Sequence, residues 1–540
     1  MKIVSVDEMK SIEREADSNG LTFDKMMENA GRGLADVIQE LPIDDSDREI
    51  FGLIGPGNNG GDTLIALAHL SVEGWQTRAY LINRKKDQLV EQLEKVGGEV
   101  LYADEDKDFL SLIEFIQTAT IILDGILGTG INLPLKANIA KVLSEVHSII
   151  DEMDALPFII AVDCPSGVEC DSGEAASDCI QADLTVTMAA VKQGLLKMPA
   201  YELVGDLEIV DIGLPNDLPA LVSVKTEVAE ADMVSAILPI RRADAHKGTF
   251  GTAMIVAGSI NYTGAGLLAG QSAYRIGAGL VTLAVPSLIH GILASQFPEA
   301  TWVLLPHEVG VINASAAEVL MKNIERATAL LIGPGFGLEE TTREFIQNLI
   351  TGKTGRQKSN SRIGFLQSEP SKKKVAEGDL PPIVFDADGL KLLAGLENWH
   401  KLLPAPAILT PHPGEMSVLT GLPKDKIQQD RQAVASKFAK EWGHIVVLKG
   451  AFTVIASPEG RMVIIPIASP ALARAGTGDV LAGLIVGLRA QGVEAFESAV
   501  AGAWIHAQAG LYAASKLGTT TSVLAGDVLN SVSEVLANLN

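Results

Sequence analysis

The sequence predicts an α/β protein made of two successive doubly wound domains, and three observations carry that expectation. Short apolar runs alternate with helix-like stretches along most of the 540 residues, the rhythm of parallel sheets with crossover helices. That rhythm closes near residue 214 and then begins again. The length also exceeds one ordinary domain, for which roughly 100–200 residues is usual.

The elements follow in order. Ser5 and Glu8 stand in capping-box spacing ahead of apolar Met9, Ile12 and Ala16, which predicts a helix start. A second helix is predicted from Met26, Ala30, Leu34 and Val37 at helical spacing. The runs IFGLIG, TRAYLIN, TIILDGI, FIIAVD and DLTVTMA read as strands, and DLEIVDIGLP closes the first half. A Pro- and Asp-containing stretch near residues 214–219 is expected to be the linker, giving domains over residues 1–220 and 221–540. In the second half TAMIVAG, LVTLAVP, ALLIGPG, PIVFDAD, PAILTPH and HIVVLKG read as buried strands. Two strand-like runs around Pro458-Glu459-Gly460 read as a hairpin. The polar, basic segment GKTGRQKSNSRIGFLQSEPSKKK is expected to be an exposed insertion.

Composition narrows the function. Hydrophobic residues make up 47% and charged residues 20%, enough to bury large cores. A net charge of -24 argues against nucleic acid or an anionic membrane surface as partner, while leaving room for a local basic pocket. Cys164, Cys170 and Cys179 are odd in number and lack C-x-x-C spacing, so they are expected to be reduced and structural. The start MKIVSVDEMK has no apolar signal core, and no apolar stretch is long enough to span a bilayer. A cytoplasmic protein is expected.

The first chemical motif is GPGNNGGD at 55–62, between a strand and a helix. Gly55, Gly57 and Gly60 satisfy G-x-G-x-x-G, which lets backbone N–H groups approach phosphate at a helix start. The next strand ends in Asn83-Arg84 rather than in an acidic residue, so an ordinary redox dinucleotide site is not expected. Asp124 and Asp163 each follow a predicted strand, and such strand ends converge on one crevice. With Asp62, Asn58, Asn59 and Ser166 they could form an oxygen-rich pocket for a hard cation or for proton transfer, or cap helices and begin turns. The segments MMENAG, GPGNNGGD, LDGILGTG and VDCPSG resemble, in order, the signatures of the NAD(P)H-hydrate epimerase domain, a Rossmann-like fold. The resemblance covers about residues 1–215. It implies a hydrated nicotinamide substrate held by Asn58, Asn59, Gly60, Gly61 and Asp62, and by Gly128, Thr129, Gly130, Ile131, Asn132, Leu133 and Pro134. It also implies potassium on Asn59, Asp124 and Ser166, with Asp163 as the acid/base or substrate contact. Thr63 departs from the family's glycine and is expected to narrow the loop.

The second motif, ARAGTGDVLAG, places Gly476, Thr477, Gly478 and Asp479 ahead of an apolar helix. Successive N–H groups there form an anion hole, and the carboxylate can take a hydroxyl proton. The string Gly352-Lys353-Thr354 lacks the earlier glycine of a phosphate loop and is rejected as one. A-G-T-G-D resembles the ribokinase-like superfamily. With HKGTFG, AGSINYTGA, GPGFG, FDADGL, PHPGE and LKGAFT it resembles the ADP/ATP-dependent NAD(P)H-hydrate dehydratase family over roughly residues 225–535. That resemblance implies nucleotide contacts from Lys449, Gly450, Ala451, Phe452, Thr453 and Gly478. It implies contacts to the hydrated nicotinamide from Ala265, Gly335, His412 and Asp479, with Asp479 as the base. Mg2+ on the phosphates fits the chemistry, although no residue identifies its ligands. Asp386 and Asp388 could hold a cation or cap a helix. The joint expectation is a metabolite-repair enzyme that epimerises hydrated NAD(P)H and dehydrates one epimer at the expense of ADP or ATP. A homo-oligomer is expected from the resemblance alone. A small-alcohol kinase, or a first domain that only binds, are the competing readings. ADP against ATP, and hydrated NADH against hydrated NADPH, stay open.

Overall fold

The computed structural model describes residues 1–352 and 380–539. Apart from Gly352, the basic stretch expected as an insertion lies outside the described residues. The chain divides into two compact units, Met1–Thr226 and Glu227–Asn540. The stretch expected as a linker instead packs onto the first unit. Leu218 is buried in that unit's core, and the Ala220 N–H donates to the Glu15 carboxylate at 2.7 Å.

The first unit is built on seven strands: β1 (Glu49–Ile54), β2 (Gln76–Leu81), β3 (Glu99–Tyr102), β4 (Ile121–Gly125), β5 (Phe158–Val162), β6 (Leu184–Met188) and β7 (Asp206–Val210). They lie in the order β3-β2-β1-β4-β5-β6-β7, and every described pairing is parallel. Covered on both faces, strands such as β4 and β6 are buried along their whole length, which is why they read as unbroken apolar runs. The order reverses direction between β1 and β4, and there the carboxyl ends part into a crevice. The first helix begins as its spacing predicts: Ser5 accepts from the Glu8 N–H, and the Glu8 carboxylate accepts from the Ser5 N–H. Two features escaped the pattern. The edge strand β3 is only half-buried and mixes charge with apolar residues, and Ile3–Val4 pairs in parallel with Val191–Lys192 over just two residues.

Among the described residues the main sheet of the second unit has ten strands: β8 (Thr226–Val228), β9 (Thr252–Val256), β10 (Leu280–Pro286), β11 (Thr301–Leu305), β12 (Ala329–Ile332), β13 (Ile383–Phe385), β14 (Ile408–Leu409), β15 (Ile445–Leu448), β16 (Val454–Ala456) and β17 (Met462–Ile464). Their order is β8-β17-β16-β15-β14-β13-β12-β9-β10-β11. From β11 across to β15 the pairings are parallel, whereas β15, β16 and β17 pair antiparallel, the last two forming the predicted hairpin. Strands β8 and β11 were not legible, being short or exposed on alternate residues. The direction reverses between β9 and β12, opening a second crevice. The helix Thr477–Ala490 is fixed beneath it by close backbone approach. A Cβ on Gly483 would stand 2.2 Å from the Ala269 carbonyl oxygen of helix Gly264–Arg275. Among the described residues no helix is long and apolar enough to cross a membrane.

Gly60 shows how tightly the first crevice is built, because a Cβ there would lie 2.1 Å from the Gly55 carbonyl oxygen. Gly60→Ala in the full chain is expected to cost the first unit about 3 kcal/mol. Calorimetry should show one unfolding transition moved down and the other unmoved; an unchanged thermogram would refute the close approach.

Candidate active sites

A cavity of 440 Å³ opens at the first crevice. Its lining includes Asn58, Asn59 and Asp62 from the start of helix Asn58–Val72, Gly128, Thr129, Gly130 and Ile131 after β4, and Asp163 after β5. Gly60 and Gly61 are buried against the chain and do not line it, and neither do Asn132, Leu133 and Pro134. Thr63 does not line this cavity. It is fully buried, its hydroxyl donates to the Asn59 carbonyl at 2.7 Å, and it packs against Gly125.

Asp163 is held hard. Its backbone is left-handed at φ 62°, a conformation that costs a non-glycine residue on the order of 1 kcal/mol and clusters at functional sites. Its Oδ1 accepts from the Lys192 ammonium, from Thr187 Oγ1 at 3.2 Å and from the Met188 N–H at 3.1 Å. Lys192 is 1% exposed, and its ammonium also donates to Thr187 Oγ1 at 3.1 Å and the Met188 carbonyl at 2.8 Å. The two-residue ladder with Ile3–Val4 sets its position. Burial, and then the Asp163 charge, push the Asp62 carboxyl well above the usual range, against the opposing pull of Lys192. Sequence reasoning missed Lys192 and the cavity-lining Glu13. The one available signal for Lys192 was a single charge inside the small and apolar run MAAVKQGLL.

Asn59, Asp124 and Ser166 converge on one loop behind this cavity, though Asp124 and Ser166 do not line it. Asn59 Nδ2 donates to the Leu127 carbonyl at 2.8 Å, the Leu127 N–H to Ser166 Oγ at 2.9 Å, and the Ser166 N–H to Asp124 Oδ2 at 2.7 Å. The other oxygens, Asn59 Oδ1 and Asp124 Oδ1, are buried with no hydrogen-bond partner. Burial raises the Asp124 carboxyl above its ordinary range. Buried oxygens without donors fit a hard cation.

In the second unit the predicted residues gather at the carboxyl ends of β9 and β12 to β15. Ala265 and Gly335 adjoin, since a Cβ on Gly335 would lie 2.9 Å from that of Ala265. Buried Asp386 accepts from Thr410 Oγ1 and from the Lys449 ammonium, both at 2.6 Å, and Glu415 stands 3.7 Å from the same ammonium. Asp386 is therefore a charge partner and not a helix cap. Asp388 accepts from the Gly337 N–H at 3.0 Å and pairs with Lys391 at 3.0 Å, tying down the GPGFG loop. Gly478 faces Lys449: a Cβ there would lie 3.7 Å from the ammonium nitrogen.

Asp479 shares this field. Burial, and then the Asp386 charge, raise its carboxyl to about 7, with Lys449 pulling the other way. Burial also works against the charges of Glu415 and Lys449. The His412 hydrogen bond and the Lys449 charge nevertheless hold Glu415 down at about 2, and Asp386 and Glu415 raise Lys449. His412, expected to contact substrate, caps helix Pro413–Thr420. Its Nδ1 accepts from the Gly414 and Glu415 N–H groups at 2.9 and 3.2 Å, and its Nε2 meets Glu415 Oε1 at 3.1 Å. Both ring nitrogens are thus engaged, which leaves the ring face for a ligand. In the loop from Lys449 to Thr453, Thr453 Oγ1 donates to the Gly450 carbonyl at 3.0 Å, and Gly450 and Ala451 are exposed. Phe452, at φ 53°, is buried and turned from solvent. Arg431 lies under this loop, its guanidinium donating to the Leu448 carbonyl at 2.7 Å; no motif pointed to it.

Lys192→Met is expected to destabilise the first unit by about 3 kcal/mol by leaving Asp163 unpaired. Adding Asp163→Asn should restore most of that loss in a denaturation curve. If the double variant is no more stable than the single, the pair is not what holds this site.

The chain matches the NAD(P)H-hydrate dehydratase family over residues 253–356 and 365–532, and the family described as YjeF-related protein N-terminus over residues 23–194. It is 35% identical to a bifunctional NAD(P)H-hydrate repair enzyme of Moorella thermoacetica, covering 100% of this chain and 97% of that one. It is 33% identical to the enzyme of the same name from Thermofilum pendens, over 96% and 93%. Among solved structures it is similar to an ADP/ATP-dependent NAD(P)H-hydrate dehydratase from Bacillus subtilis co-crystallised with ATP and Mg2+. That structure is 28% identical, with 58% of this chain and 99% of that one covered and a TM-score of 0.46. Likeness along the full length, with a matching family model over each unit, shows that the chain belongs to the family of bifunctional NAD(P)H-hydrate repair enzymes.

Proposed function

We propose that the first unit epimerises the hydrated nicotinamide ring at Asp163 and that the second dehydrates it at Asp479. The observation that carries this is the Asp479 carboxyl, raised to about 7 beside a helix-start anion hole and Lys449. A base poised near neutrality is half ionised at working pH and still takes a proton readily.

The hydrated ring bears a hydroxyl on a carbon bonded to the ring nitrogen. In the first cavity Asp163 takes the hydroxyl proton, the carbon–nitrogen bond opens to an aldehyde, and the nitrogen is protonated. Asp62, its carboxyl raised well above the usual range, is the proton donor. Rotation and reclosure on the other face give the second epimer and return both protons. Lys192 keeps Asp163 oriented throughout. The unpartnered oxygens of Asn59 and Asp124, with Ser166, would hold potassium, which would supply fixed positive charge there.

In the second crevice Ala265 and Gly335 would flank the nicotinamide, while residues 449–453 and Gly478 would meet the nucleotide. Asp479 takes the hydroxyl proton as the oxygen attacks the terminal phosphoryl group of ADP or ATP, and the bond from that phosphorus to its bridging oxygen breaks to release AMP or ADP. The carbon–oxygen bond then breaks with phosphate leaving, and loss of a proton from the adjacent carbon restores the ring double bond. Mg2+ on the phosphates would supply charge neutralisation. A cytoplasmic, homo-oligomeric protein belongs to this proposal on the strength of the family likeness.

The test supplies purified full chain with both epimers of hydrated NADH, potassium, Mg2+ and either ADP or ATP, and follows the return of dihydronicotinamide absorbance. Full recovery with nucleotide is expected; recovery that stops at one epimer's share would sink the epimerase assignment. Asp479→Ala should abolish dehydration and spare epimerisation, and Asp163→Ala should do the reverse; equal loss of both in either variant would contradict two sites. Because the base must be unprotonated, kcat/KM for dehydration is expected to fall about tenfold per pH unit below pH about 7. A flat profile from pH about 5 to 7 would exclude Asp479 as that base.

A further inference from the structure

A second cavity of the first unit, 680 Å³ in volume, lies beside the carboxyl ends of β2 and β3, apart from the one that holds Asp163. Its walls include the aromatic rings of Tyr102 and Phe109, and its volume suits a nucleoside. Four cations, Arg84, Lys85, Lys86 and Lys141, face a single carboxylate, Asp104. In a chain of net charge -24 this is a local reversal of sign.

The cations are not equivalent. Arg84 bridges to the neighbouring site: its guanidinium donates to the carbonyls of Gly55 and Gly57 at 3.0 and 3.2 Å, and it is committed to Asp87 at 2.7 Å. Gly57 itself lines the cavity of Asp163. Lys86 pairs with Glu94 at 2.6 Å. Lys141 lies over the Phe109 ring, 4.8 Å from its centroid, and Lys85 is exposed and makes no ion pair among the described residues. At the end of β2, where a dinucleotide fold otherwise places an acidic residue for the ribose, stands Asn83. It is left-handed at φ 57° and accepts from Asn138 Nδ2 at 2.8 Å.

We propose that this cavity takes the adenosine end of the hydrated cofactor and that Lys85 and Lys141 recognise a 2′-phosphate. The first unit would then favour hydrated NADPH over hydrated NADH. This rests on the epimerase reading above. The aromatic walls suit the purine, the missing ribose carboxylate removes what would repel a 2′-phosphate, and the exposed ammonium groups of Lys85 and Lys141 supply its counter-charge.

The test compares kcat/KM for epimerisation of both hydrates by the full chain and by its Lys85→Ala/Lys141→Ala variant. The wild-type ratio of phosphorylated to unphosphorylated substrate is expected to exceed one and to fall about tenfold in the variant, mainly through KM. Adenosine 2′,5′-bisphosphate should inhibit wild-type epimerisation more strongly than AMP does, and the variant should lose that difference. Both lysines are exposed, so neither substitution threatens the fold. A ratio unchanged in the variant, or equal loss for both hydrates, would overturn the inference while leaving the epimerase reading intact. A chain that epimerises neither hydrate would overturn both.

Discussion

A carboxylate drawn out of water loses solvation worth several kcal/mol, and only a nearby cation and aimed donors can replace it. Both units meet this demand in one way, with a buried or largely buried lysine set against a strand-end aspartate. Lys192 answers Asp163 in the first, and Lys449 answers Asp386 in the second. The positions of the other site groups follow from these pairs. Thr187 and the Met188 backbone complete the first, and Thr410 and Glu415 complete the second.

Each pair also separates the acidities of its neighbours. Around Lys449, Glu415 is held to about 2 while Asp479 rises to about 7, although both are carboxylates in one field. The difference comes from partners: Glu415 has the His412 hydrogen bond and the nearby ammonium, whereas burial and the Asp386 charge weigh on Asp479. Beside Lys192, Asp62 is pushed up by burial and by the charge of Asp163. In both crevices one carboxyl is thereby distinguished from the rest, which is what proton transfer near neutral pH requires.

The glycines of the motifs serve packing as much as ligand approach. Gly60 lets the helix after β1 close onto the Gly55 carbonyl, and Gly483 lets the Asp479 helix touch the backbone of its neighbour. A site built on such contacts keeps its geometry, since neither helix can shift without opening space in a dense core.

The sequence by itself determined the two sheets, the motif order and the family. Buried parallel strands must be apolar along their length, and loops that approach phosphate or pack on backbone need glycine, so both leave marks in short windows. Asp163, Asp479, Asn59 and Asp124 were legible for the same reason: each stands beside a strand end or helix start that the pattern marks. Lys192, Glu13 and Arg431 were not. They reach their places through a two-residue ladder, a helix face and a loop underside, contacts between residues far apart in the chain that no local spacing encodes. His412 is also a helix cap, which its motif did not announce, because a helix start and a binding motif use the same residues. Thr63 stood out as a departure from the motif, and only the fold shows that it packs inward, since which way a side chain near a helix start faces depends on the sheet packed against it. The tertiary structure alone decided which carboxylates meet which ammonium groups, because that pairing is set by where the crossovers bring the strand ends together.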